Sequence, residues 1–133
     1  MPIYDLAAVA HALEMTPKQL DNLLSRNDLD GVERKTRGVT RKISSEAAIA
    51  INIAWRLAEA TKVPITNALE LSRRLTVHSD HAIAVGDHLT LAADFAAIRA
   101  DTLSRLDAAV ETVGRRRRGR PPTTQRRSIG AEP

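Results

Sequence analysis

Cysteine is absent from this 133-residue chain, and the aromatics are reduced to Tyr4, Trp55 and Phe95. The first absence excludes disulfides, zinc–thiolate sites and thiol nucleophiles, and suits a reducing compartment. The second leaves few rings on which unpaired bases could stack. No apolar run approaches a membrane span, and the opening residues carry no signal-peptide pattern. Neither a Gly-x-Ser-x-Gly elbow nor a P-loop occurs, and Ser44, Ser45 and Ser79 read as cap or turn residues. No enzyme and no cofactor are expected.

Alanine and leucine dominate the hydrophobic share. Both favour helices and lack a branch at Cβ, so the core reads as helical. Positive charge is unevenly placed. Residues 115–133 hold seven arginines (Arg115–Arg118, Arg120, Arg126 and Arg127) against Glu132, which is +6. A chain total of +4 therefore leaves −2 for the other 114 residues. Such a tail attracts a polyanion.

A first helix is expected from about Asp5 to Glu14, with Leu6, Val9, Ala10 and Leu13 as its apolar stripe and Asp5 as N-cap. Thr16-Pro17-Lys18-Gln19 is a second start signal: a capping threonine, proline in the first helical position, and glutamine three residues after the cap. Leu20, Leu23 and Leu24 bury one side of that helix, and Lys18, Gln19, Asn22 and Arg26 stand on the other. Two short helices about a tight turn form a helix-turn-helix. Gly31 to Ile43 then reads as two strands around a tip at Lys35–Gly38, with bases at Arg34, Lys35, Arg37, Arg41 and Lys42. A basic hairpin in that place is a wing.

Ser44-Ser45-Glu46 opens a third helix, running to about Lys62 and so apolar that it must be central, with Trp55 as a core anchor. Thr66 to Leu75 makes a fourth, with Leu69 inward. In a second hairpin, a three-residue turn at Gly86-Asp87-His88 would set Ile83, Val85, Leu89 and Leu91 on one face. The last helix, from about Ala92 to Val113, carries Phe95, Ile98, Thr102, Leu103, Leu106, Val110 and Val113 along its stripe. Beyond Gly114 the composition predicts disorder. His78, His81 and His88, with Asp80 and Asp87, read as an exposed polar loop rather than a metal site.

This order of helix, turn, helix, basic hairpin, serine-capped helix and short helix resembles the MerR-like winged-helix DNA-binding domain over residues 3–76. Small excisionases and some phage repressors resemble the same winged helix. The resemblance implies that the second helix enters the major groove, that the wing grips the backbone or minor groove, and that a C-terminal helix pairs two subunits. The cysteines of the metal- and redox-sensing members are missing, so those activities do not carry over. Arg118-Gly119-Arg120-Pro121 resembles an AT-hook, in which glycine lets the backbone lie at the groove floor between arginines.

The expected architecture is mainly α with small β-hairpins: a winged helix-turn-helix over 1–76, a hairpin and dimerisation helix over 77–113, and a disordered basic tail over 114–133. The expected function is that of a cytoplasmic, nucleoid-associated homodimer that binds duplex DNA and regulates transcription as a repressor. The alternatives are an excisionase-type architectural factor, an RNA-binding protein and a protein-interaction adaptor. Gln19 and Asn22 would contact adenine edges, Lys18 and Arg26 guanine or phosphate, and the wing bases and tail phosphate. Phe95, Ile98, Leu103, Leu106 and Val110 would form the dimer seam.

Overall fold

The computed structural model describes residues 2–33 and 41–119, the stretch from 114 onward as backbone alone. Its elements are β1 (Ile3–Asp5), α1 (Leu6–Ala12), α2 (Pro17–Arg26), β2 (Lys42–Ser44), α3 (Ser45–Thr61), α4 (Ile65–Val77), β3 (Ala82–Gly86), β4 (Leu89–Ala92) and α5 (Phe95–Gly119). The fold is mainly helical, with two small antiparallel sheets.

The local signals explain most helix starts. The Gln19 amide donates to Thr16 Oγ1 at 3.0 Å, and the Thr16 amide to Gln19 Oε1 at 2.9 Å, closing the capping box of α2. Ser44 Oγ accepts from the Ala47 amide at 3.1 Å and caps α3. Asp5 precedes α1 but makes no side-chain cap; its carboxylate pairs with Lys42 instead. Between α1 and α2 the chain reverses through Glu14, which is left-handed at φ 59.

β1 has no counterpart in the sequence reading. It pairs antiparallel with β2, Tyr4 opposite Ile43. On the other side of β2, the Glu33 amide reaches the Lys42 carbonyl at 3.0 Å and the Ser44 amide reaches the Gly31 carbonyl at 2.8 Å. Residues 31–33 and 41–44 therefore form the base of the expected first hairpin, whose tip lies outside the described residues. Gly31 sits at φ +88, and a Cβ there would lie 2.2 Å from Ser44 Oγ, so the hairpin base and the α3 cap require glycine together.

The second hairpin differs from expectation. Its turn is Asp87-His88, Gly86 pairs with Leu89, and a bulge falls between Ala84 and Gly86. The bulge takes Val85 out of register, so the four apolar residues do not share a buried face: Ile83 is buried, Leu91 half-buried, and Val85 and Leu89 exposed.

α3 is central, with every residue from Ala47 to Ala54 buried. α1, α2, α4 and α5 surround it, and Val9, Leu20, Leu24, Ile43, Ile51, Leu69, Leu106 and Ala109 belong to the main core. A smaller cluster joins Ile49, Ile53, Leu75 and Ile83, with Phe95 and Ile98 packed against it. α5 therefore lies on its own chain. Leu106 has no exposed surface, while Phe95, Ile98 and Leu103 are half-buried and only Val110, at 48% exposed, faces outward. The expected dimer seam is largely spent inside the chain. The reason is that α1 and α3 offer α5 an apolar surface within the chain.

Candidate nucleic-acid interface

α2 presents Lys18, Asn22, Ser25 and Arg26 to solvent over a buried Leu20–Leu23–Leu24 base. Its fourth expected reader, Gln19, is exposed but committed. With Oε1 accepting from the Thr16 amide, its carboxamide is held by the cap and would have to share or release that bond to make the paired donor–acceptor contact that an adenine edge asks for. The free polar ridge of α2 is therefore Lys18, Asn22 and Arg26.

One flank of that ridge borders a groove shared by Gln19, Asn22 and Arg26 with Trp55, Ile65 and Thr66. Trp55 and Thr66 were not among the expected contacts, since their approach to α2 depends on how α4 turns back on α3. The other flank meets the hairpin base through Arg41. Arg41 was expected on the wing surface, yet it is only 7% exposed. Its Nη2 lies 3.5 Å from Asp21 Oδ1 and 3.4 Å from Ser25 Oγ, while its backbone carbonyl accepts from the Leu6 amide at 3.1 Å. Its Nε is buried without a partner. Arg41 is thus a brace between the incoming strand and α2 rather than a surface phosphate contact. The spacing of Asp21 and Ser25 on one flank of α2 was the available signal.

Lys42 is part-exposed and paired with Asp5. Arg34, Lys35 and Arg37 lie outside the described residues. Below the ridge, Asp28, Asp30 and Glu33 line a cleft between the end of α2 and the hairpin base. Their charge disfavours a phosphate in that cleft.

The tail also departs from expectation. α5 runs on past Gly114 to Gly119, so Arg118 and Gly119 are helical positions, whereas a hook core lies extended in a groove. Arg120 and Pro121 lie outside the described residues.

His78 and His88 are exposed, as a polar loop would have them. His81 is half-buried: its ring stacks on Phe95 at 4.0 Å and its Nδ1 donates to the Leu75 carbonyl at 3.0 Å. Among the described residues, no three His, Asp or Glu side chains gather as a metal ion needs, and no helix is long and apolar enough to cross a membrane. A polar network elsewhere ties α3 to α5 and α1. Arg56 reaches Asp101 at 2.7 Å, Arg105 reaches the same carboxylate at 3.0 Å, and Arg105 also reaches Glu14 at 3.2 Å. Burial acts to raise the Asp101 pKa, but the Arg105 hydrogen bond and the charges of Arg105 and Arg56 outweigh it and hold the carboxyl below its ordinary range.

No family model, curated protein or solved structure matches the chain.

Proposed function

We propose that this chain is a sequence-specific DNA-binding regulator of transcription that acts as a repressor. The observation that carries the reading is the α2 ridge: Lys18, Asn22 and Arg26 exposed on a helix capped at its start and braced through Arg41 to the base of a basic hairpin. A rigid helix carrying one amide and two cations suits a major groove, where the amide selects a base edge and the cations take guanine or phosphate. Arg34, Lys35 and Arg37 of the hairpin add sequence-independent attraction. Repression asks nothing beyond occupancy of a site. Pairing of two copies through the α5 stripe is not part of the proposal, because Leu106 is buried within its own chain.

Selection from a random duplex library, followed by anisotropy titration of the enriched site, tests this. The expected result is an enriched motif bound at least about a thousandfold tighter than random duplex. Failure of any motif to enrich, or preference for RNA in direct competition, overturns it. Sequence-tolerant binding with strong DNA bending would instead identify an architectural factor of the excisionase type.

A further inference from the structure

β3 and β4 make a sheet of two strands, so each strand has an edge with no third strand beside it. The register settles which backbone groups face those edges. The Ala93 amide donates to the His81 carbonyl at 3.0 Å, and the pairs that follow are Ala82 with Ala92, Ile83 with Leu91, and Ala84 with Thr90. Bonded and non-bonded pairs alternate along an antiparallel ladder. Ile83 and Leu91 are therefore a bonded pair, while Ala82, Ala84, Thr90 and Ala92 turn their amides and carbonyls away from the hairpin. Ala84 agrees with this: its carbonyl accepts from Arg74 Nη2, outside the hairpin, at 3.4 Å.

The two edges are treated differently. Natural edge strands are blunted by bulges, charges or proline. β3 carries the bulge, and Arg74 occupies the Ala84 carbonyl. β4 has no such device. Leu89-Thr90-Leu91-Ala92 contains no charge and no proline, and among the described residues no hydrogen bond from outside the hairpin reaches Thr90 or Ala92. Leu91 and Ala92 also line a cleft of about 500 Å³ together with Ile53, Leu57, Leu75 and Ile98, so apolar surface adjoins the open edge.

We propose that the chain forms a two-fold dimer in which β4 pairs antiparallel with β4 of a second copy. The open edge is complementary to itself. Thr90 and Ala92 each offer one donor and one acceptor, and the antiparallel register that sets Thr90 against Ala92 of the second copy also sets Ala92 against its Thr90. All the outward amides and carbonyls of both residues are then paired. Leu91 falls on the two-fold axis and faces its own equivalent as a non-bonded pair, the class with the closer Cα atoms and side chains. The exposed Leu89 lies on the same face of β4 and comes opposite the small Ala93 of the second copy. The same register carries Asp94 toward His88 of the second copy, a carboxylate acceptor toward an imidazole donor. Every contact is reciprocal, as an isologous seam requires. The seam is independent of the DNA-binding reading and of the α5 stripe, whose Leu106 is buried in its own chain.

The test uses the full chain, in which no native cysteine competes. Leu91→Cys places a single thiol at the axis, and mild oxidation should cross-link it to its own equivalent, because directly opposed antiparallel residues stand within disulfide range. Ala84→Cys, exposed on the blunted strand, is the control and should stay uncross-linked on a non-reducing gel. Ala92→Pro removes an amide that points outward, so the hairpin keeps its own bonds while the seam loses one bond from each copy. Sedimentation at micromolar concentration should show the original chain as a dimer. Ala92→Pro should melt like the original chain and dimerise about tenfold or more weakly. Where the proline variant does not fold, the cross-link decides. An original chain that is monomeric overturns the proposal, including one whose β4 edge captures an extended peptide instead. A folded Ala92→Pro chain that dimerises like the original, or a Leu91→Cys chain that cross-links no faster than Ala84→Cys, also overturns it and places any seam elsewhere.

Discussion

Asn52, in the middle of α3, donates from Nδ2 to the Thr102 hydroxyl of α5 at 2.8 Å, and both side chains are buried. The Asn52 Oδ1 accepts from Arg56 Nε at 3.1 Å, and Thr102 donates onward to the Ile98 carbonyl at 2.6 Å. Thr102→Val keeps the shape but strands the buried Asn52 amide, and should cost about 1–3 kcal/mol in urea unfolding. Thr102→Val with Asn52→Leu should cost less than the sum of the two single changes. Additive costs would show that the pair is not coupled.

The glycine at the hairpin base gives a second test. Gly31→Ala forces an alanine into a left-handed conformation and drives its Cβ onto Ser44 Oγ, which caps α3. The strain is worth about 1–2 kcal/mol and the damaged cap about 1 kcal/mol. A lowered urea midpoint with an unchanged slope is the expected result, and unchanged stability would show that the base can shift without cost.

Leu106 and Val110 lie one turn apart on α5, yet they should respond oppositely. Leu106→Asp places a carboxylate where no surface is exposed, and should unfold the chain, since even truncation to alanine costs about 2–5 kcal/mol at such sites. Val110→Asp, at a position 48% exposed, should change stability by no more than about 0.5 kcal/mol. If Leu106→Asp stays folded and only lowers the mass seen by light scattering, the stripe is a subunit seam after all.

Two amides on α2 should separate in the same way. Asn22→Ala should remove about 1–3 kcal/mol of discrimination between selected and random duplex, with little change in stability. Gln19→Ala should leave discrimination nearly intact and lower stability by about 0.5–1 kcal/mol, because its side chain closes the capping box. Equal loss of discrimination in both would return Gln19 to the reading surface.

Acid should weaken the α3–α5 link. The Asp101 pKa is depressed in the folded state, so its contribution is complete above the unfolded value of about 3.9 and is lost as pH falls through the lower folded value. The stability gap between the original chain and Asp101→Asn should therefore close as pH drops below about 4. A gap that is constant from pH 7 to pH 3 would show that Arg56 and Arg105 do not depend on the charge of Asp101.

These outcomes bear on what the residues alone could convey. The starts of α2 and α3 were legible because Thr16-Pro17-x-Gln19 and Ser44-Ser45-Glu46 satisfy their own backbone donors within one turn. The apolar weight of α3 likewise announced its central place. What stayed hidden depends on partners far along the chain. Ile3–Asp5 is too short to read as a strand until Lys42–Ser44 lies beside it. Arg41 counts as one more hairpin base until Asp21 and Ser25 are seen to face it. The stripe of α5 was visible, but periodicity does not say which surface an apolar face will meet. Thr102, a polar residue on an otherwise apolar stripe, was the one written hint that α5 folds back on α3.

The return of α5 also bears on the order in which the protein is made. Val9 and Leu13 share their core with Leu106 and Ala109, close to a hundred positions later in synthesis. While the nascent chain is short of that point, α1 lacks the surface that covers it, and Leu13 stays open to solvent and chaperones. Completion of the main core thus waits on translation of the last helix. Chains released early, at the hairpin before α5, should be recognised as unfinished and degraded rather than accumulate.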